Sequence, residues 1–230
     1  MTLPGGEISK RELHFIWIVD CSGSMRDDGK IQSLNYAIRE AIPHMQREAE
    51  SNFQANLLVS ALKFSTGAQW IIPPTDVNSF KWIDVEAKGH TDLGQALVLL
   101  SEILHIPPMT NRGLPPVLVL LSDGQPTDNF EDGLNKLLHE PWGKKAIRIS
   151  IAIGEDANMK VLQQFIGSDE RSPLLARNPE ALSNYIRWVS TVVQSASARP
   201  KSQQKNDELH DSNVEIPKPP EMISTATDVW

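Results

Sequence analysis

Short apolar runs alternate along the chain with longer segments in which apolar residues recur every three or four positions. Four continuous runs, "HFIWIVD", "ANLLVSALKF", "PPVLVLLSDG" and "KAIRISIAIG", predict strands that are buried on both faces of a sheet. "AQWIIPP" predicts a short edge strand, because its two prolines cannot donate ladder hydrogen bonds. "SPLLAR" is a candidate for a short last strand.

The segments between these runs predict helices. Over residues 30–50 the apolar positions fall on one stripe, although Pro43 within it predicts a kink or a split. "DLGQALVLLSEILHI" predicts a helix that is ended by Pro107 and Pro108. Further helices are predicted at "NFEDGLNKLLHE", "NMKVLQQFI" and "PEALSNYIRWVSTVVQSA".

Alternating strands and helices are typical of the α/β class. We expect a Rossmann-like, doubly wound and mostly parallel sheet with helices on both faces. In such open sheets ligands bind at the carboxyl ends of the strands, near the point where the strand order reverses. Side chains that directly follow the predicted strands are therefore the first candidates for function.

Composition narrows the classes of partner. The formal net charge is -7 and the pI is about 5.4, which argues against nucleic acid or an anionic membrane surface. We find no run of about 18 apolar residues that would predict a membrane span, and no apolar signal-peptide core near the start. A single cysteine, Cys21, cannot form an internal disulfide. Together these features predict a cytoplasmic protein.

The pattern also divides the chain into three parts. We expect an N-terminal extension over residues 1–12, a domain over residues 13–197 and a polar, proline-punctuated tail over residues 198–230. The sole aromatic residue of that tail is Trp230, the last residue, which makes it a candidate contact for a partner protein. An unused tail and a tail that docks on its own domain remain open alternatives.

Three short segments carry small oxygen donors: "DCSGSM", "GHTDLG" and "LSDGQPTD". Asp20 and Asp123 both end apolar strand runs, so parallel strands would bring them to one edge of the sheet. Two carboxylates that meet in a partly buried place repel each other, and a divalent cation would remove that cost. The candidate ligands are Asp20, Ser22, Ser24, Thr91 and Asp123. These hard oxygen donors favour Mg²⁺ or Mn²⁺, with Ca²⁺ less favoured.

Asp-x-Ser-x-Ser after the first strand, a threonine in "TDLG" and a later "SDG" resemble the metal-ion-dependent adhesion site (MIDAS) of von Willebrand factor A (vWA) domains. The resemblance covers roughly residues 13–197 and is closest to cytosolic bacterial members of the TerY type, which are associated with tellurium resistance. It implies a metal site at the five residues above. It also implies a partner protein that supplies a carboxylate, and possible links to a protein kinase, a phosphatase or an AAA+ ATPase in a bacterial stress-response or signalling system.

Other polar residues near these segments have structural interpretations. Cys21 suits the core better than a hard cation site, Asp92 is expected to begin the following helix, and Thr127 and Asp128 are expected to cap the "NFEDG" helix. We expect a binding module and not an enzyme, because these loops show no positioned general base and no phosphate-binding "GxxxxGK[ST]". A metal-assisted hydrolase or phosphoryl-transfer enzyme, and a passive scaffold, are the alternatives.

Overall fold

In the computed structural model of the protein, residues 10–52, 54–123, 125–197 and 216–220 are described. Six strands of this part form one sheet in the order β3–β2–β1–β4–β5–β6. The neighbouring pairs are parallel except β2 and β3. The strands are β1 (Arg11–Asp20), β2 (Ala55–Ser65), β3 (Gly67–Asp76), β4 (Val117–Ser122), β5 (Ile147–Ile153) and β6 (Leu174–Ala176). The expected fold class is confirmed.

Helices cover both faces of the sheet. They are α1 (Lys30–Ser51), α2 (Leu93–Ser101), α3 (Phe130–His139), α4 (Pro141–Lys145), α5 (Met159–Ile166), α6 (Pro179–Trp188) and α7 (Gln194–Ser197). α1 and α6 contribute to the core cluster on one face, with β1 residues such as Trp17. α2, α3 and α5 contribute to the cluster on the other face, with β1 residues such as Ile18. β1 is thus the central strand, buried on both sides.

The strand order places a topological switch point between β1 and β4. From β1 the chain continues outward through β2 to β3, and it then returns to pair β4 with the other side of β1. Adjacent loops that leave in opposite directions open a crevice at the carboxyl ends of these two strands. Asp20 ends β1, and Asp123 directly follows β4.

Two expectations about the helices need correction. Pro43 does not split α1, because Ile38, Ile42 and Met45 on the buried face of the helix pack into the core on both sides of the proline. Burying such side chains contributes about 1.5–3 kcal/mol each, so the three together exceed the roughly 3 kcal/mol that an interior proline costs.

The second correction concerns α2, which ends at Ser101 and not at the prolines. The Ser101 hydroxyl donates to the carbonyl of Val98 at 2.6 Å, and the N–H groups of Ile103 and Leu104 donate to carbonyls only three residues back. Local side-chain bonding and tighter turns of this kind end a regular α-helix.

β3 is an antiparallel edge strand, as predicted, but it is longer and includes Pro73 and Pro74. The predicted closing helix is divided among α6, a π-helical turn over Val189–Val193 and α7. In the tail, Ile216 is half-buried and packs against the core cluster shared by α1 and α6, so the tail contacts its own domain there. Trp230 lies outside the described residues. No helix in the described ranges is long and apolar enough to cross a membrane.

Candidate metal centre

Asp20 is the last residue of β1 and is fully buried. The backbone N–H of Ser22 donates to Asp20 Oδ1 at 2.8 Å, and the Ser122 hydroxyl donates to Asp20 Oδ2 at 2.5 Å. Ser122 is the residue beside Asp20 on β4, because the parallel register pairs Val19 with Leu121. Both carboxyl oxygens therefore have a fixed orientation before any ligand arrives.

Ser22 and Ser24 follow Asp20 where the chain turns into a short 3₁₀ segment, Gly23–Gly29. Their hydroxyl oxygens lie 3.0 Å apart, and Ser22 is buried while Ser24 is half-buried. The Asp-x-Ser-x-Ser spacing thus brings both hydroxyls to the end of β1 on one short turn.

Asp123, which follows β4, is 1% exposed, and neither of its carboxyl oxygens has a hydrogen-bond partner in the described part of the chain. A buried carboxyl without a partner is costly. Burial, and then the charge of Asp123, raise the pKa of Asp20 to about 6. The two acids are therefore close enough to repel each other in a site that water does not screen well.

Thr91 is buried in the loop between β3 and α2. Its N–H donates to the Thr127 hydroxyl at 3.0 Å, and its carbonyl accepts from the Thr127 N–H at 2.9 Å. Two residues earlier, the Gly89 carbonyl accepts from the Gly23 N–H at 3.0 Å. The three segments predicted from the sequence are thus joined pairwise by hydrogen bonds at one edge of the sheet.

The expected caps are arranged differently from the prediction. Asn129, not Thr127 or Asp128, caps α3, since its side chain accepts from the Asp132 N–H at 3.2 Å. Asp128 caps α2 instead: its two oxygens accept from the N–H groups of Gly94 and Gln95, each at 2.8 Å. This pairing joins residues more than 30 positions apart, so local spacing could not reveal it.

Asp92 begins α2, as expected, but its side chain does not cap that helix. One of its oxygens accepts from the Gly67 N–H at 2.8 Å, and the other accepts from the Thr127 hydroxyl at 3.2 Å. Asp92 and Thr127 therefore brace the loop of Thr91 from both sides. Sequence reasoning also missed Ser122, whose position before Asp123 in "SDG" was the available signal.

We predict that Asp128→Ala destabilises the domain by about 1–2 kcal/mol, because two N–H groups and the positive end of α2 lose their acceptor. Urea unfolding measures this loss. Glu131→Ala, which removes an exposed acid from the first turn of α3, is the matched control and should cost less. Equal losses in the two variants would contradict the role of Asp128 as a cap.

Cys21 lies between Asp20 and Ser22 and is buried, as predicted. Burial, and then the charge of Asp20, raise the pKa of its thiol to about 12. The sulfur therefore stays protonated at neutral pH, which suits neither a metal ligand nor a nucleophile.

The donors at this edge fit a hard cation. Among the described residues neither Asp20 nor Asp123 forms an ion pair with a basic side chain. In the same ranges no three His, Cys, Asp or Glu side chains converge, so a soft or carboxylate-rich site is not formed. Two acids, two neighbouring hydroxyls and a threonine loop remain, and oxygen donors of this kind favour hard divalent ions.

Comparison with known proteins agrees with this fold. Residues 15–125 match the family model described as von Willebrand factor type A domain. The fold is that of a vWA domain. No curated protein matches the chain at a significant level.

Solved structures share the vWA fold with low sequence identity. A von Willebrand factor type A protein from Catenulispora acidiphila is 18% identical over 79% of this chain and 42% of its own, with a TM-score of 0.59. The ArnB paralog VWA2 from Sulfolobus acidocaldarius is 20% identical over 77% and 45%, with a TM-score of 0.56. Proximal thread matrix protein 1 from the mussel byssus, with a zinc-occupied MIDAS motif, is 16% identical over 81% and 48%, with a TM-score of 0.62. The chain spans less than half the length of each.

Proposed function

We propose that this vWA domain is a metal-dependent protein–protein interaction module. Asp20, Ser22, Ser24, Thr91 and Asp123 would hold a divalent cation, and the cation would bind an acidic group of a partner protein. The observation that supports this most directly is the buried carboxyl of Asp123, which has no hydrogen-bond partner among the described residues, beside the buried carboxyl of Asp20. A divalent cation offsets both the missing partners and the repulsion.

The preferred ion in this proposal is Mg²⁺ or Mn²⁺. Hydroxyls are neutral ligands, so three hydroxyls that bind directly, with the two aspartates acting largely through bound waters, would leave positive charge on the ion. Through this positive charge, a bound ion would attract a carboxylate. The mussel byssus protein carries zinc in its MIDAS motif, which supports a divalent ion at this place in the fold, while the oxygen donors here favour harder ions.

We propose binding and not catalysis as the activity. Asp20 is held by Ser22 and Ser122, and the Cys21 thiol stays protonated, so neither is placed as a free base or nucleophile. By resemblance, the setting we propose is cytoplasmic, in a bacterial stress-response or signalling system of the TerY type. A kinase, a phosphatase or an AAA+ ATPase is the candidate partner there, with Trp230 as a candidate second contact.

Metal titration tests the site. Calorimetry with Mn²⁺ and Mg²⁺ should show one binding site in the parent that is lost in Asp20→Asn and in Asp123→Asn. Asp28→Asn is the matched control, because Asp28 is exposed, lies in the same turn and has a positive φ of 51° that asparagine tolerates. Unchanged binding in both site variants would overturn the metal assignment.

Selection of peptides tests the acidic partner. Displayed peptides selected in Mg²⁺ should contain an aspartate or glutamate whose amide variant no longer binds, and EDTA should release them. Mg²⁺-dependent turnover of generic phosphoesters that Asp20→Asn abolishes would instead favour the hydrolase.

A further inference from the structure

Lys30, the first residue of α1, is a buried charge in an unfavourable position. It is 4% exposed, and the start of a helix carries the positive end of the helix dipole. A buried ammonium without a partner would be costly. Its Nζ lies 3.1 Å from Oδ1 of Asp156, whose side chain is 66% exposed. The lysine therefore reaches from the core to an acid on the surface loop between β5 and α5.

The backbone leaves room for this contact at Gly154. Gly154 follows β5 with a φ of 91°. A Cβ at this position would lie 2.8 Å from Lys30 Nζ and 2.6 Å from Asp156 Oδ1. The Lys30 ammonium therefore lies beside the end of β5, at a position where any residue other than glycine would clash with it.

The loop that carries Asp156 is hydrogen-bonded to the residues on both sides of position 124. The Asn158 N–H donates to the Asp123 carbonyl at 2.6 Å, and the Gln125 side chain donates to the Asp156 carbonyl at 3.3 Å. Because the carboxyl oxygens of Asp123 have no hydrogen-bond partner in the described ranges, its backbone is the part of this residue that protein contacts hold.

Lys30 also directly follows the turn that carries Ser22 and Ser24. The 3₁₀ segment Gly23–Gly29, which includes Ser24, ends at the residue before it. The Lys30–Asp156 pair therefore connects the two halves of the proposed site: the Ser22 and Ser24 turn on one side, and the Asp123 loop on the other.

We propose that Lys30 is a positioning residue for the cation site and acts through Asp156. It fixes the Asp123 loop relative to the serine turn, so that both halves face one ion. This proposal rests on the proposed function. The sign of the effect separates this role from electrostatics. Removing a positive charge near a cation site relieves Coulomb repulsion and should tighten cation binding, whereas loss of positioning weakens it.

The test is Mn²⁺ titration of the full chain with Lys30→Met, together with hydrogen exchange at the Asn158 amide in EDTA. We expect about 10-fold weaker Mn²⁺ binding, the range for residues that orient metal ligands, and faster exchange at Asn158. Lys160→Met, which removes an exposed charge from α5, should leave both measurements unchanged. Equal or tighter Mn²⁺ binding in Lys30→Met with unchanged Asn158 exchange would overturn the proposal.

A second pair of variants provides the test from the exposed side, and applies where Lys30→Met does not fold. Asp156→Asn should weaken Mn²⁺ binding and speed Asn158 exchange more than Glu155→Gln, a neighbouring exposed acid with the same charge change. Equal effects of the two would reject positioning. Where Lys30→Met does fold, its loss and that of Asp156→Asn should not add in the double variant, because the two residues act through one contact.

Failure of the proposed function gives a different result. If the parent shows no Mn²⁺ binding that Asp123→Asn removes, the cation site is wrong. Exchange at Asn158 then still decides whether Lys30 holds the Asp123 loop: unchanged exchange in Lys30→Met would reject that contact as well.

Discussion

Asp20→Asn should stabilise the protein when divalent cations are absent, although it removes a residue of the proposed site. Asparagine can reproduce both contacts of Asp20, accepting from the Ser22 N–H and donating to the Ser122 hydroxyl. It carries no charge, so the repulsion from Asp123 and the cost of burying a carboxylate are both removed. We expect a gain of about 2 kcal/mol at pH 7.5 in EDTA.

The sign follows from the proton balance. The pKa of Asp20 is about 6 in the folded protein and 3.8 ordinarily. Between these values the folded state holds a proton that the unfolded state has released, so the free energy of unfolding falls as pH rises from about 4 to about 6. The total loss is on the order of 3 kcal/mol. Asp20→Asn has no such loss, so the two proteins should differ little near pH 4 and most above pH 6.

Urea unfolding in EDTA from pH 4 to pH 8 measures the difference. Asp27→Asn, which changes an exposed acid of the same turn, should follow the pH profile of the parent. Added Mg²⁺ should reverse the order at pH 7.5, because an ion that binds only the folded parent stabilises it by mass action. An asparagine variant that is less stable than the parent in EDTA at pH 7.5 would contradict the buried repulsion.

The sheet could be predicted because its strands carry a strong local signal. β1, β4 and β5 are nearly continuous apolar runs, which is the pattern of parallel strands buried on both faces. Asp20 and Asp123 stand out for the same reason, since each interrupts such a run at its carboxyl end. The rule for open parallel sheets then brings them to the switch point between β1 and β4.

The contacts that brace the site could not be predicted, because they join distant residues. Asp128 caps α2 through the N–H of Gly94, which lies 34 positions earlier in the chain. Lys30 pairs with Asp156, which lies 126 positions later. In the sequence Asp128 has the local appearance of a cap for α3, and Lys30 that of a solvated charge beside two acids. Only the packed fold decides which helix end and which carboxylate each side chain meets.

The contact between α2 and α3 depends on two glycines at the helix starts. A Cβ at Gly133 would lie 2.3 Å from the Gly94 carbonyl oxygen, and a Cβ at Gly94 would lie 2.4 Å from the Asn129 carbonyl oxygen. These are backbone atoms, so one helix would have to move. Each helix begins just after a threonine of the braced pair, Thr91 or Thr127, so displacement would also disturb the loop of Thr91.

Gly133→Ala should therefore destabilise the domain by about 3 kcal/mol, as expected for overpacking against backbone. The sign is opposite to intrinsic propensity, since alanine is favoured over glycine within a helix by about 1 kcal/mol. Urea unfolding measures the change, and Asn135→Ala on the exposed side of α3 is the control, expected to be neutral or slightly stabilising. Calorimetry of the folded fraction should also show weaker Mn²⁺ binding, because Thr91 is carried on the displaced loop. A Gly133→Ala variant as stable as the parent would show that the two helices separate without cost, and that their close approach does not hold the site.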